Sequence, residues 1–309
     1  MLTALTQPNY PKAALGLQAD SISALALEGG RRQYSIRQAA SVELAPGTLD
    51  PSFLETNILD PLGFAAALSE AVEAAGLMGQ KRWSVALPAS AARTAILALE
   101  AEPASKQELE EVLDWKAEQS FGAPAQEMRL ALEKIAPDKD GRSRYFATAV
   151  RLAVIDEYES HFESRGWQAG MILPRAVAEA NWLVQGNGHA DSMLISGNSE
   201  GFTALLLRGG APAVVRSVTC APEEVEDEIY RLVMFYNDRF TAGTGPLLER
   251  LLVIGRGLVP EKIRTIASEA LDRDVSILSP IDVGLNLPGT GLSFDEIAAP
   301  SGLAALGFR

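Results

Sequence analysis

The sequence predicts an α/β protein of two related halves, with a compact α+β subdomain inserted into the first. Three observations predict it. Stretches beginning near residues 13 and 192 each read as three successive strands leading to a helix, the mark of a duplicated unit. Between them, residues 81–167 run strand, strand, helix, strand, strand, helix. The length of 309 residues suits two domains or one large one.

The elements follow in order. Residues 14–17 are a buried apolar run, 21–27 a second strand, and 33–44 a third, after a Gly29-Gly30 turn. Residues 62–77 form a helix, with Phe64, Leu68, Val72 and Ala75 on one stripe. Strands at 83–87 and 94–99 come next. Ser105-Lys106-Gln107-Glu108 is a capping box that opens a helix carrying Leu109, Val112, Leu113 and Phe121. Strands at 128–135 and 144–152 flank a polar turn, and a helix at 155–164 stops at Gly166. After a strand at 170–173, Pro174 opens a helix at its first position, and Gly186-Asn187-Gly188 ends it. Three strands follow, at 192–196, 202–208 and 213–217. Residues 222–240 form a long helix with four acids in its first turn, which suits the macrodipole. A strand at 251–254, a helix at 259–271, a strand at 275–278 and a short helix at 301–306 complete the chain. The expected domains are 13–80 plus 168–187, the insertion 81–167, a second body of 188–217 plus 250–309, and a helical addition at 218–249.

Composition narrows the function. Lys and Arg number 27 against 40 Asp and Glu, a formal charge of −13 that repels phosphate backbones, so nucleic acid is not an expected partner. Cys220 is the only cysteine, so no internal disulfide can form, and with two histidines it cannot build a Cys/His zinc site. No signal peptide is read, and no window of 18 residues is apolar enough to span a bilayer. The expected location is therefore cytoplasmic.

Several motifs have ordinary structural readings. Gly197-Asn198-Ser199-Glu200-Gly201 fits a nucleophile-elbow pattern, but both histidines precede it, so it reads as a tight turn between strands. His161 and His189 read as surface residues. Four acids follow Cys220 and oppose a reactive thiolate. Trp115 lies one position off its helix's apolar stripe, and exposed there it would be an anchor for a partner.

The duplicated layout with its insertion resembles the actin-like (ribonuclease H-like) superfamily. More narrowly it is similar to the PilM family of type IV pilus assembly proteins. The resemblance rests on Trp83-Ser84-Val85-Ala86-Leu87-Pro88, on the helix from Ser105 to Glu118-Gln119-Ser120-Phe121, on Thr148-Ala149-Val150 with Tyr158 and Arg165-Gly166-Trp167, and on the tail Leu303-Ala304-Ala305-Leu306-Gly307-Phe308-Arg309. It covers about residues 13–309.

The resemblance implies a nucleotide site in three pieces. The first falls on residues 16–23, where Gln18 stands in place of the family's acid and Ser23 in place of its Lys, with Asp20 and Ser21 between them. The second falls on Ser196-Gly197-Asn198, again without an acid, and the third on Gly255-Arg256-Gly257. Gln18, Asp20, Ser21, Ser23, Ser196, Gly197, Gly255 and Gly257 are thus the candidate residues of a degenerate site. Acids there would hold Mg²⁺, and glycines would admit phosphates to the backbone. Without both acids, no cofactor and no ATP hydrolysis are expected, and no catalytic or metal-binding residue is assigned. The implied function is a cytoplasmic adaptor at the inner-membrane face. Its expected partners are the N-terminal tail of a PilN-like membrane protein and other pilus platform proteins. The expected groove is flanked by the 82–100 strands, the 105–121 helix and the 21–44 strands. A homo-oligomer stays open. The alternatives are a working ATPase using Asp20 and Asp191 as metal acids, the cytoplasmic part of a GspL-like type II secretion protein, and a sugar kinase of the same fold.

Overall fold

The computed structural model describes residues 9–30, 32–185, 190–240, 247–287 and 291–308. His189 and the Gly186-Asn187-Gly188 stop lie outside them. The first half opens with an antiparallel meander, β1 (Ala13–Leu17), β2 (Ser21–Gly30) and β3 (Gln33–Glu43). Helix α1 (Pro61–Ala74) follows. Its cap is Asp60, whose carboxylate accepts from Leu62 N (3.1 Å) and Gly63 N (3.0 Å), with Pro61 at the first position. β4 (Arg82–Leu87) returns parallel to β1. The insertion comprises β5 (Arg93–Ala98), α2 (Lys106–Phe121), β6 (Met128–Ile135) and β7 (Arg144–Arg151). Ser105 caps α2 at 3.1 Å, and Glu108 reaches back to Ala104 N (2.6 Å).

Next come α3 (Leu152–Glu163), β8 (Gln168–Pro174) and α4 (Arg175–Gln185). The second half repeats the plan with β9 (Asp191–Asn198), β10 (Gly201–Arg208), β11 (Ala211–Thr219), α5 (Val225–Phe240), β12 (Leu248–Ile254), α6 (Pro260–Leu271) and β13 (Ser276–Ile277). The chain ends with β14 (Leu285–Asn286) and α7 (Phe294–Leu306).

The strand orders carry the duplication. One sheet runs β14-β3-β2-β1-β4-β8 and the other β11-β10-β9-β12-β13. Each contains a three-stranded antiparallel meander extended from its first strand by two parallel strands. The inserted sheet is β5-β7-β6, all antiparallel. Helices α4 and α7 lie between the two large sheets in one continuous core with Leu25, Trp182, Leu194, Leu252 and Leu303. Trp182 Nε1 donates to Ala298 O (2.9 Å), and Asn181 Nδ2 to Gly302 O (2.6 Å).

This packing moves several expected boundaries. β4 and α3 border the insertion in sequence, but β4 is an interior strand of the first sheet, between β1 and β8, and Tyr158 and Phe162 of α3 pack with Phe64 and Trp83 in the first core. The inserted sheet therefore starts at Arg93 and ends at Arg151. The C-terminal segment leaves the second body: α7 packs on β1, β2 and β4, and β14 pairs with β3. Helix α7 also begins seven residues before the expected 301, because Pro300 lies inside it. His161 is half-buried, its ring edge-on to Phe64 at 5.2 Å. Burial first, and then Arg165, lowers its pKa.

Candidate functional site

The two halves meet in a cleft of about 190 Å³. Three turns line it: Gln18–Asp20 between β1 and β2, Gly197–Ser199 between β9 and β10, and Gly255–Arg256 after β12. Pro51, the segment 88–90 after β4, and Arg175 at the start of α4 complete the wall. The three candidate pieces, far apart in sequence, do converge here.

They do not all face the cleft. Gln18, Asp20, Gly197 and Gly255 line it, whereas Gly257 lines an adjoining pocket of about 400 Å³ between α5 and α6. Ser21 is buried and donates to its neighbour Asp20 (Oδ1, 3.2 Å). Ser23 is buried under α7, where its hydroxyl donates to Glu296 O at 3.0 Å. Ser196 is buried beside Glu179, beneath the cleft floor.

Asp20 is the only carboxylate lining the cleft among the described residues, and it is not free. Arg256, from the turn on the other half, donates Nη1 to its Oδ2. The ion pair bridges the cleft between the two halves. Gly255 holds this turn in place: its φ is +134°, and a Cβ there would lie 2.8 Å from the Gly197 backbone. The Gly255 N–H donates to Asp295 Oδ1 at 2.8 Å.

Behind the wall lies a cluster the sequence reading missed. Arg175 pairs with the fully buried Glu179 (Nε–Oε1, 2.8 Å) and donates Nη2 to Asp295 O (2.7 Å). Burial pushes the Glu179 pKa up, against the pull of Arg175. The four-residue spacing of Arg175 and Glu179 on one helix was the available signal. Asp295 had none.

Asp191 is not at the cleft. It begins β9, and Gly197–Asn198 at the other end form the cleft side, roughly 20 Å away at about 3.3 Å per residue. Its carboxylate is buried and takes donors from Tyr236 Oη and Arg208 Nε, both at 2.9 Å. Burial raises its pKa and pushes Tyr236 up to about 12, with Asp191 adding to the latter shift. Asp191 is therefore a buried acid at the start of β9 and not a metal acid of the cleft. Cys220 lines the adjoining pocket, and burial with Glu228 and Glu224 raises its pKa. Gly197–Gly201 is a turn between β9 and β10, closed by Asn198 Oδ1 accepting from Glu200 N (2.8 Å).

A second concavity lies on the inserted sheet. α2 covers one face, with Leu113, Ala117 and Phe121 against Leu97 and Ala147. The opposite face presents Arg129, Ala131 and Thr148 to Ile155 of α3 and to Leu87 and Ile172 of the first sheet, enclosing about 80 Å³. This concavity lies on the side of the inserted sheet away from α2. β6 is an edge strand, paired only with β7 among the described residues.

No family model matches the sequence, and no curated protein matches it. Solved structures do. A chain of the PilM-PilN type IV pilus biogenesis complex aligns with a TM-score of 0.76 at 16% identity, over 98% of this chain and 100% of that one. The cytoplasmic domain of EpsL, an inner-membrane component of the type II secretion system of Vibrio cholerae, aligns at 0.46 and 13% identity, over 90% and 85%. A Bacteroides thetaiotaomicron protein with an actin-like ATPase fold and unknown function aligns at 0.45 and 11%, over 96% and 98%. The fold of the chain is actin-like.

Proposed function

We propose that this chain is an adaptor of a type IV pilus assembly platform, at the cytoplasmic face of the inner membrane. It binds an extended tail of a PilN-like membrane protein and does not hydrolyse ATP. The observation that carries the reading is the fold match at TM-score 0.76, which spans the inserted subdomain as well as both halves. The groove supports it. Ala131, Val150, Ile155 and Ile172 offer an apolar slot beside the free edge of β6. An extended segment there gains main-chain hydrogen bonds and a side-chain pocket.

The cleft supports the absence of hydrolysis. Its one carboxylate is neutralised by Arg256, and Ser23, which replaces the family's Lys, is committed to α7. Mg²⁺ needs free oxygen ligands, and none of the acids implied by the fold family faces this cleft. The residues present do not fit Mg-ATP.

The test is a calorimetric titration with the cytoplasmic tail of a PilN-like protein as a synthetic peptide. Ala131→Trp fills the groove and is expected to weaken binding at least tenfold, whereas Asp20→Asn leaves it unchanged. Equal binding by wild type and Ala131→Trp would remove the groove from the account.

A further inference from the structure

Two exposed patches outside the cleft and the groove carry opposite charge. On α5, Arg231, Phe235 and Arg239 recur every four residues and so share one helix face. Arg216 on the edge strand β11 reaches the same place. Phe235 is 36% exposed, and the guanidiniums of Arg216 and Arg239 lie 6.0 and 5.6 Å from its ring centre. Arg231 is paired with Glu228, but Arg216 and Arg239 have no carboxylate partner among the described residues. In a chain of formal charge −13, two unpaired guanidiniums over one exposed ring form a concentrated cationic and aromatic surface.

The inserted subdomain carries the complement. Trp115 on α2 is 57% exposed. Glu108, Glu111 and Asp114 are exposed on the same helix, turned away from the sheet that α2 covers. Within one chain, no ion pair links α2 to Arg216 or Arg239 among the described residues.

We propose that these patches dock on each other between copies of this chain, the α2 face of one copy meeting the arginine patch of the next. Arginine stacks on Trp115 while Glu111 and Asp114 meet the free guanidiniums. Trp, Phe and Arg are the residue types that carry interface energy, and charge complementarity sets the orientation. The surfaces on the two copies differ, so the contact is heterologous and propagates as a ring or an open chain. The charges are exposed, so the contact is weak and sensitive to salt. It stands independently of tail binding.

The experiment is sedimentation velocity on the full chain over a concentration series at low and high salt. The sedimentation coefficient is expected to rise with concentration at low salt and to stay flat at high salt. Arg216→Glu/Arg239→Glu and Glu111→Arg/Asp114→Arg are each expected to run as monomers with wild-type melting temperatures. Their 1:1 mixture regains association, because each reversed patch meets its new opposite and each intact patch keeps its old one. If a reversal variant does not fold, Trp115→Ala and Phe235→Ala replace it, and both are expected to reduce association. A wild-type chain that stays monomeric at its highest soluble concentration in low salt overturns the proposal. So does a mixture that stays monomeric, or alanine variants that associate like wild type.

Discussion

Ser23 donates its hydroxyl to the carbonyl of Glu296, 3.0 Å away and 273 residues along the chain. That carbonyl is the one whose helical donor would be the N–H of residue 300, and residue 300 is proline. Ser23 supplies from β2 the hydrogen bond that α7 cannot make for itself. Gly16 leaves the room: a Cβ there would lie 2.6 Å from Ser23 Oγ and 2.9 Å from Pro300 Cδ.

Replacing Ser23 with Ala should therefore cost about 1–3 kcal/mol, the range for a buried polar group left unpaired. The cost should shrink in a Pro300→Ala background, where the new N–H can serve Glu296. Urea unfolding of the four combinations measures the coupling. Equal costs in both backgrounds would show that Ser23 does not substitute for the missing donor.

Nucleotide should leave the melting temperature unchanged. A ligand at about 100 times its Kd stabilises by roughly 2.7 kcal/mol, which for a chain this size is a shift of several degrees. Thermal unfolding with millimolar Mg-ATP or Mg-ADP is expected to match unfolding without either, in wild type and in Asp20→Asn alike. A clear shift would mean that Arg256 yields its place to phosphate.

The cluster at Asp191 should behave as core. Tyr236→Phe removes one donor to a buried carboxylate and should cost about 1–3 kcal/mol. Asp191→Ala leaves Arg208 without its carboxylate and should cost about 3–5 kcal/mol. Chemical denaturation measures both, and a neutral Asp191→Ala would contradict the packing described for β9.

His161 should make stability depend on pH in one window. Its folded pKa is lowered, so the unfolded chain binds the proton more readily below about pH 6.5. The stabilisation is full above that pH and is lost as pH falls towards the folded pKa. The difference in melting temperature between wild type and His161→Gln should therefore shrink from pH 7.5 to pH 5.5. A constant difference would show that the ring is not held neutral against Phe64.

Much of the fold was legible because it is local. The alternations at β1 to β3 and β9 to β11, the cap at Ser105 and the apolar stripe of α1 all depend on residues close in sequence. The cleft was legible at Gln18, Asp20, Gly197 and Gly255, which the duplicated turns bring together. What failed was long-range. Pro300 reads locally as a helix boundary, yet it lies inside α7, where Ser23 from β2 bonds the carbonyl of Glu296. Asp191 sits near the family's second piece in sequence, but at the far end of a strand from it. No local pattern tells α7 that it belongs on the first sheet, or Arg256 that Asp20 lies opposite.

The most direct test of the central claim is a titration of the PilN-like tail peptide with and without millimolar Mg-ATP. The account predicts saturable 1:1 binding with the same Kd in both conditions. Binding that appears only with nucleotide would contradict it, as would no binding in either.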